Sequence, residues 1–185
     1  MSTHYGFCKT RSTLQSAGFT LVELLIVVAV IGIVSAISVP AMLRARRTGN
    51  EAAAIGSVRA LNSAETSYAA AAAKGGFSPS LATLAAACPG SAVGFISPDL
   101  ATDPSVKSGY TITMAAATAS IPGPTDCNGT ATETGYYSTA IPIAAGVSGL
   151  RAFASSASGA IFFDPNGTPP TEAQMAPGGG GTTIQ

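Results

Sequence analysis

From Phe19 to Val39 the chain runs 21 residues with a single charge, Glu23. At about 1.5 Å per residue that is roughly 31 Å of helix, which matches a hydrocarbon core of about 30 Å. The run is rich in Val and Ile, which favour strands, but strands are usually only about 3–10 residues long. A lone segment in lipid must satisfy its own backbone polar groups, so the pattern predicts a membrane-spanning helix over residues 19–40. Pro40 removes a backbone donor and clashes one turn back, which predicts a kink. Gly32 adds a second weak point.

Beyond Pro40 the period changes but the helix goes on. In Asn50–Lys74, Ile55, Val58, Leu61 and Tyr68 fall near one face at 3.6-residue spacing, a face that should pack on a sheet. Lys74-Gly75-Gly76 is a stop, with a cation in the last turn and Gly at the cap. Residues 41–74 are therefore read as the second half of one long helix. Phe77–Lys107 reads as a connecting region, with a short helix at Ser80–Ala87 and a short strand at Val93–Ile96. Tyr110, Ile112 and Met114 alternate with Thr111 and Thr113, the pattern of a half-buried strand. Further strands are predicted at Tyr136–Ile141, Leu150–Ser155 and Ala160–Phe163, the last two joined by the turn Ser156-Ala157-Ser158-Gly159. Ile121–Thr134, rich in Pro, Gly, Asp and Asn, reads as a loop. Asp164-Pro165-Asn166-Gly167 reads as a turn, and Pro177–Gln185, with four consecutive glycines, as a mobile tail. Three or four antiparallel strands against one long helix make an α+β roll, with residues 75–185 as its globular part.

Charge enters this picture at four places. Glu23 costs on the order of 2.5–3.5 kcal/mol at a bilayer centre and less near an end. Thr20-x-x-Glu23 has capping-box spacing, which gives that carboxylate a local role at a helix N-terminus. A cation from another subunit is the competing role, and cleavage between Gly18 and Phe19 would create one as the new α-amine of Phe19. Arg44, Arg46 and Arg47 follow the apolar run directly. They are read as interfacial anchors or solvated partners, for example Arg47 with Glu51 four residues on, against inter-subunit pairing in a filament.

Gly18-Phe19-Thr20-Leu21-Val22-Glu23-Leu24-Leu25-Ile26-Val27-Val28 resembles the class III signal of type IV pilins and type II secretion pseudopilins. The family pattern is a short basic leader, a Gly, Phe-Thr-Leu, then Glu as the fifth mature residue and an apolar helix. The resemblance covers Gly18–Pro40 in detail and extends more loosely to Lys74. It implies that Met1–Gly18, with Lys9 and Arg11, is a leader removed by a prepilin peptidase, which also methylates the amine of Phe19. It implies that Glu23 pairs with the Phe19 amine of a neighbouring subunit in a homo-oligomeric helical filament. The helix would loosen between Gly32 and Pro40 as subunits pack, where a fixed bend in one continuous helix serves the residues equally well. The precursor would sit in the inner membrane, in contact with lipid and an assembly platform. The filament would be extracellular or periplasmic. A structural subunit of a type IV pilus-like filament and a pseudopilin of a type II secretion system share all of these motifs. A third reading is a secreted or anchored domain that never polymerises. Val34-Ser35-Ala36 resembles a conventional cleavage site, but that reading needs a long basic region and leaves Glu23 inside the apolar core.

With 9 Lys+Arg and 9 Asp+Glu the chain is neutral, and removing the leader keeps it close to neutral, so bulk charge gives no reason to expect a nucleic-acid partner. Only 10% of residues are charged, against a typical 25% or so. The leader carries His4, the sole histidine, so Ser-His-Asp and Cys-His catalysis and histidine metal sites are excluded for the mature chain, and no enzyme or cofactor is expected. It also carries Cys8, leaving Cys88 and Cys127, which outside the cytoplasm are expected to form a disulfide; a metal site would need more ligands. Many type IV pilins close a disulfide nearer the chain end, a departure that leaves major pilin, minor pilin and pseudopilin open. Asp99 and Asp103 have the spacing of calcium ligands but fall short of the six to eight oxygens calcium takes, so no metal is expected and a solvated loop is the simpler reading. Asn128-Gly129-Thr130 and Asn166-Gly167-Thr168 match a glycosylation pattern and are equally ordinary turns.

Overall fold

A computed structural model describes residues 18–184. Of the expected leader only Gly18 falls among them; His4, Cys8, Lys9 and Arg11 lie outside. Two compact units divide the chain, Met1–Pro40 and Ala41–Gln185. One helix, α1 (Leu21–Ala71), contributes to both and runs through Gly32 and Pro40 without interruption.

In the first unit every residue from Leu21 to Val39 is exposed. By length and composition this part of α1 can cross a membrane. Its apolar side chains are not covered by any of the described residues.

In the second unit α1 turns a narrow stripe inward: Ala54, Ser57, Val58, Leu61, Ala64, Glu65 and Tyr68 are buried. The spacing is i, i+3, i+4, i+7, as burial of one helix face requires. Ile55, expected on this face, is only partly buried at its margin. α1 ends at Ala71, three residues before the expected Lys74 and with no basic residue in its last turn; beyond it Lys74 and Gly75 take positive φ values of 52° and 95°, and the Gly75 N–H donates to the Ala69 carbonyl at 2.8 Å.

The sheet that meets this stripe has six strands, all antiparallel. They are β1 (Ser105–Lys107), β2 (Tyr110–Ala116), β5 (Tyr136–Pro142), β6 (Ala152–Ser156), β7 (Ile161–Asp164) and β8 (Thr182–Thr183), adjacent in that order. A separate two-stranded ribbon, β3 (Pro122–Thr125) with β4 (Ala131–Glu133), is inserted between β2 and β5. Tyr110, Ile112 and Met114 of β2, Tyr136 and Ala140 of β5 and Phe153 of β6 join Val58, Leu61 and Tyr68 in one core. Fully burying a side chain of this kind contributes about 1.5–3 kcal/mol. The opposite face carries a smaller cluster, Ala154, Phe162 and Met175, the last from α3 (Glu172–Met175). A short helix, α2 (Leu81–Ala85), is capped by the Ser80 hydroxyl. Cys88 and Cys127 form a disulfide with Cα atoms 5.5 Å apart, joining the segment after α2 to the β3–β4 turn.

Three expectations are corrected. Val93–Ile96 is not a strand but a bend, with the Phe95 N–H donating to the Leu84 carbonyl at 2.8 Å, so its backbone is satisfied by α2 instead of a sheet. Ile121–Thr134 is not wholly a loop, since it contains β3 and β4. Pro122 and Pro124 are tolerated because β3 pairs on one side only. The segment Pro177–Gln185 is not a free tail: β8 pairs with β7, and the Ile184 N–H donates to the Ile161 carbonyl at 2.9 Å.

Candidate processing and assembly site

Leu21, the first residue of α1, lies two residues after Phe19, so the expected cleavage point stands immediately outside the helix. The Thr20 N–H and hydroxyl both donate to Oε2 of Glu23, at 3.2 and 3.0 Å, and the Glu23 N–H donates to the Thr20 hydroxyl at 3.2 Å. This is a reciprocal capping box. It satisfies N-terminal helix donors and places the only carboxylate of the apolar run at the positive end of the helix. Gly18, Phe19, Thr20 and Glu23 are all exposed, and Phe19 retains 81% of its accessible surface. The site presents an uncovered aromatic residue beside a carboxylate held by local hydrogen bonds.

The ion pair expected just after the apolar run is not formed. Arg47 does not pair with Glu51. Glu51 instead accepts from Arg151, with Nη2 and Nε at 2.7 and 2.8 Å from Oε2. Its Oε1 accepts from the Leu150 and Arg151 N–H groups at 2.8 and 3.3 Å. Burial pushes the Glu51 carboxyl up, but the Leu150 amide, the Arg151 guanidinium and the Arg151 amide outweigh it and hold it below the usual carboxylate value. The Arg151 guanidinium also lies 5.8 Å from the Phe153 ring centroid and 5.4 Å from that of Phe163. An exposed i, i+4 pair is worth only about 0.3–0.5 kcal/mol, so the geometry with several donors wins. Among the described residues Arg44, Arg46 and Arg47 form no ion pair.

Two buried acids escaped the sequence reading. Glu65 is fully buried; its Oε2 accepts from the Ser78 N–H at 3.0 Å and its Oε1 has no partner. Burial raises its pKa to about 8, the Ser78 bond opposing only part of the shift. Its position could have exposed it, since it lies four residues after Leu61 and three before Tyr68 on the apolar stripe. Asp126 accepts from the Tyr68 hydroxyl at 2.9 Å and from the Asn128 and Thr130 N–H groups at 2.9 and 2.7 Å. No feature of the local sequence marks that role. Asp99 pairs with Lys107 at 2.5 Å, and Asp103 accepts from the Met114 N–H. Among the described residues no group of three or more His, Cys, Asp or Glu side chains could hold a metal ion.

Residues 14–39 match the prokaryotic N-terminal methylation motif. No curated protein and no solved structure matches the chain. The motif is the prepilin-type signal of type IV pilin and pseudopilin precursors. It implies processing by a prepilin peptidase and filament assembly in general, and with the apolar helix it fits an inner-membrane precursor of a structural protein.

Proposed function

We propose that this chain is a structural subunit of a type IV pilus-like filament, cut between Gly18 and Phe19 and N-methylated at Phe19. The observation that carries this reading is the uncovered apolar run Leu21–Val39, closed at its N-terminal end by one oriented carboxylate. Lipid covers the apolar side chains before assembly, and the helices of other copies cover them afterwards. In the filament, Glu23 exchanges its capping hydroxyl for the Phe19 amine of a neighbour, which turns a costly carboxylate into an ion pair. Gly32 and Pro40 give the helix its points of adjustment during that packing. The Cys88–Cys127 disulfide holds the outward-facing domain.

The test is the N-terminal residue and intact mass of the mature protein from its host, together with filament yield of a Glu23→Ala variant. A start at N-methylated Phe19 and loss of filaments from a variant with a folded domain are expected. A start elsewhere, or normal filaments without Glu23, overturns the reading. The pseudopilin alternative shares each residue; loss of protein export without loss of surface filaments on deletion would favour it.

A further inference from the structure

We propose that Asn166, and not Asn128, is a site of spontaneous deamidation, through a succinimide closed by the Gly167 nitrogen. The chain carries the same five-residue frame twice, Asp126-Cys127-Asn128-Gly129-Thr130 and Asp164-Pro165-Asn166-Gly167-Thr168. In both copies the asparagine is exposed, and its side-chain amide makes no hydrogen bond among the described residues. The following glycine takes a positive φ in each, 82° at Gly129 and 79° at Gly167. Sequence and glycine conformation match, so the two copies differ in how their backbone amides are held. The first copy, the turn between β3 and β4, is clamped. The Asp126 N–H donates to the Thr130 carbonyl at 2.9 Å, and the Gly129 N–H donates to the Asp126 carbonyl at 3.2 Å. Oδ1 of Asp126 accepts from the Asn128 and Thr130 N–H groups, and its Oδ2 accepts from the buried Tyr68 hydroxyl. The disulfide ties the same turn to Cys88. The second copy, after β7, has one of these bonds: the Asn166 N–H donates to Oδ1 of Asp164 at 2.7 Å. Among the described residues the Gly167 and Thr168 N–H groups have no acceptor.

The chemistry needs the glycine nitrogen. Hydroxide takes its proton, and the nitrogen attacks Asn166 Cγ. The new C–N bond closes a cyclic imide, the bond from Cγ to Nδ2 breaks, and Nδ2 takes a proton from water and leaves as ammonia. Water then opens the ring at either carbonyl, giving aspartate or isoaspartate, with no oxidant or other reactant. Glycine has no Cβ to hinder the rotation that brings its nitrogen to Cγ. A hydrogen bond on that nitrogen opposes the step, because deprotonation and rotation both break it. One such bond is enough to slow the reaction about tenfold. Solvent access favours the other turn, since Gly129 is exposed and Gly167 half-buried. The attack is intramolecular, so the bonding decides. The product adds a carboxylate beside Asp164 and, as isoaspartate, one extra methylene in the main chain just past β7.

The full chain in detergent, with its disulfide intact, is kept in warm, mildly alkaline buffer and sampled over days. A second sample is reduced and unfolded in guanidinium. Peptide mass spectrometry reads the conversion of amide to acid at each asparagine, and an isoaspartate methyltransferase labels the isomer. In the folded chain Asn166 should lose its amide at least about tenfold faster than Asn128. In the unfolded chain that gap should largely close. Equal rates in the folded chain, or a faster Asn128, overturn the proposal. A gap that persists after unfolding assigns the difference to Pro165 and Cys127 as local sequence, and overturns it as a property of the fold. Acid at Asn166 without isoaspartate means direct hydrolysis and overturns the succinimide route.

Discussion

Replacing Glu65 by Gln should stabilise the globular domain by an amount that grows with pH. The carboxyl is fully buried between α1 and the sheet, with one oxygen on the Ser78 amide and the other unpartnered. Its pKa rises from 4.5 to about 8 on folding. A group with a raised folded-state pKa gives its full stability below the unfolded value and loses it as pH rises through the folded one. Between pH 4.5 and 8 the folded state holds a proton that the unfolded state has released. Stability therefore falls by about 1.4 kcal/mol per pH unit in that window, close to 5 kcal/mol in all, then levels off. Gln keeps an acceptor for Ser78 and, like the protonated acid, carries a donor without a partner, so the two proteins should differ little near pH 5. Near pH 7 the variant should lead by about 3 kcal/mol. The only histidine is His4, so few other groups titrate in the same range. Urea denaturation of both proteins in detergent, from pH 5 to pH 9 with the disulfide intact, reads the difference directly. Parallel stability curves would refute the reasoning, because they would mean Glu65 is ionised in the folded domain or relaxes to water without cost.

Glu51→Ala strips the acceptor from the Leu150 and Arg151 amides and from the Arg151 guanidinium, and should cost about 2–4 kcal/mol in denaturant titrations. In the wild type that contribution is present above pH 4.5 and fades as acid protonates the lowered carboxyl, so the variant should lack this part of the acid loss. Removing both cysteines with Cys88→Ser/Cys127→Ser opens a loop of sequence separation 39 and should cost about 4 kcal/mol by the chain-entropy relation. An unchanged midpoint relative to the oxidised wild type would contradict it.

The long helix was legible because its signals are dense: an apolar run of membrane length, then alanines and apolar residues at helical spacing, then Lys74-Gly75. The central strands β2 and β5 were legible because alternation survives where one face is buried. The edges were not. β1 and β8 are too short for any alternation, and the glycines before β8 resemble a free tail until a neighbouring edge is known. Val93–Ile96 has strand composition, but Gly94 lies against the backbone of α2, and contact with a helix decided its conformation. The capping box at Thr20 and Glu23 could be read from spacing alone. The partner of Glu51 could not, because Arg151 lies one hundred residues away, just before β6.

The two ends of the six-stranded sheet have a consequence for crowding. One rim is β1, three residues long and ending in Lys107, and the other is β8, only two residues long. Rims this short are themselves poor templates for a foreign strand. On the proposed function, copies crowded in a membrane would have little at these two rims through which to pair side by side. Association would then fall to the apolar helix, and a pool of proposed subunits would wait in the bilayer without gelling.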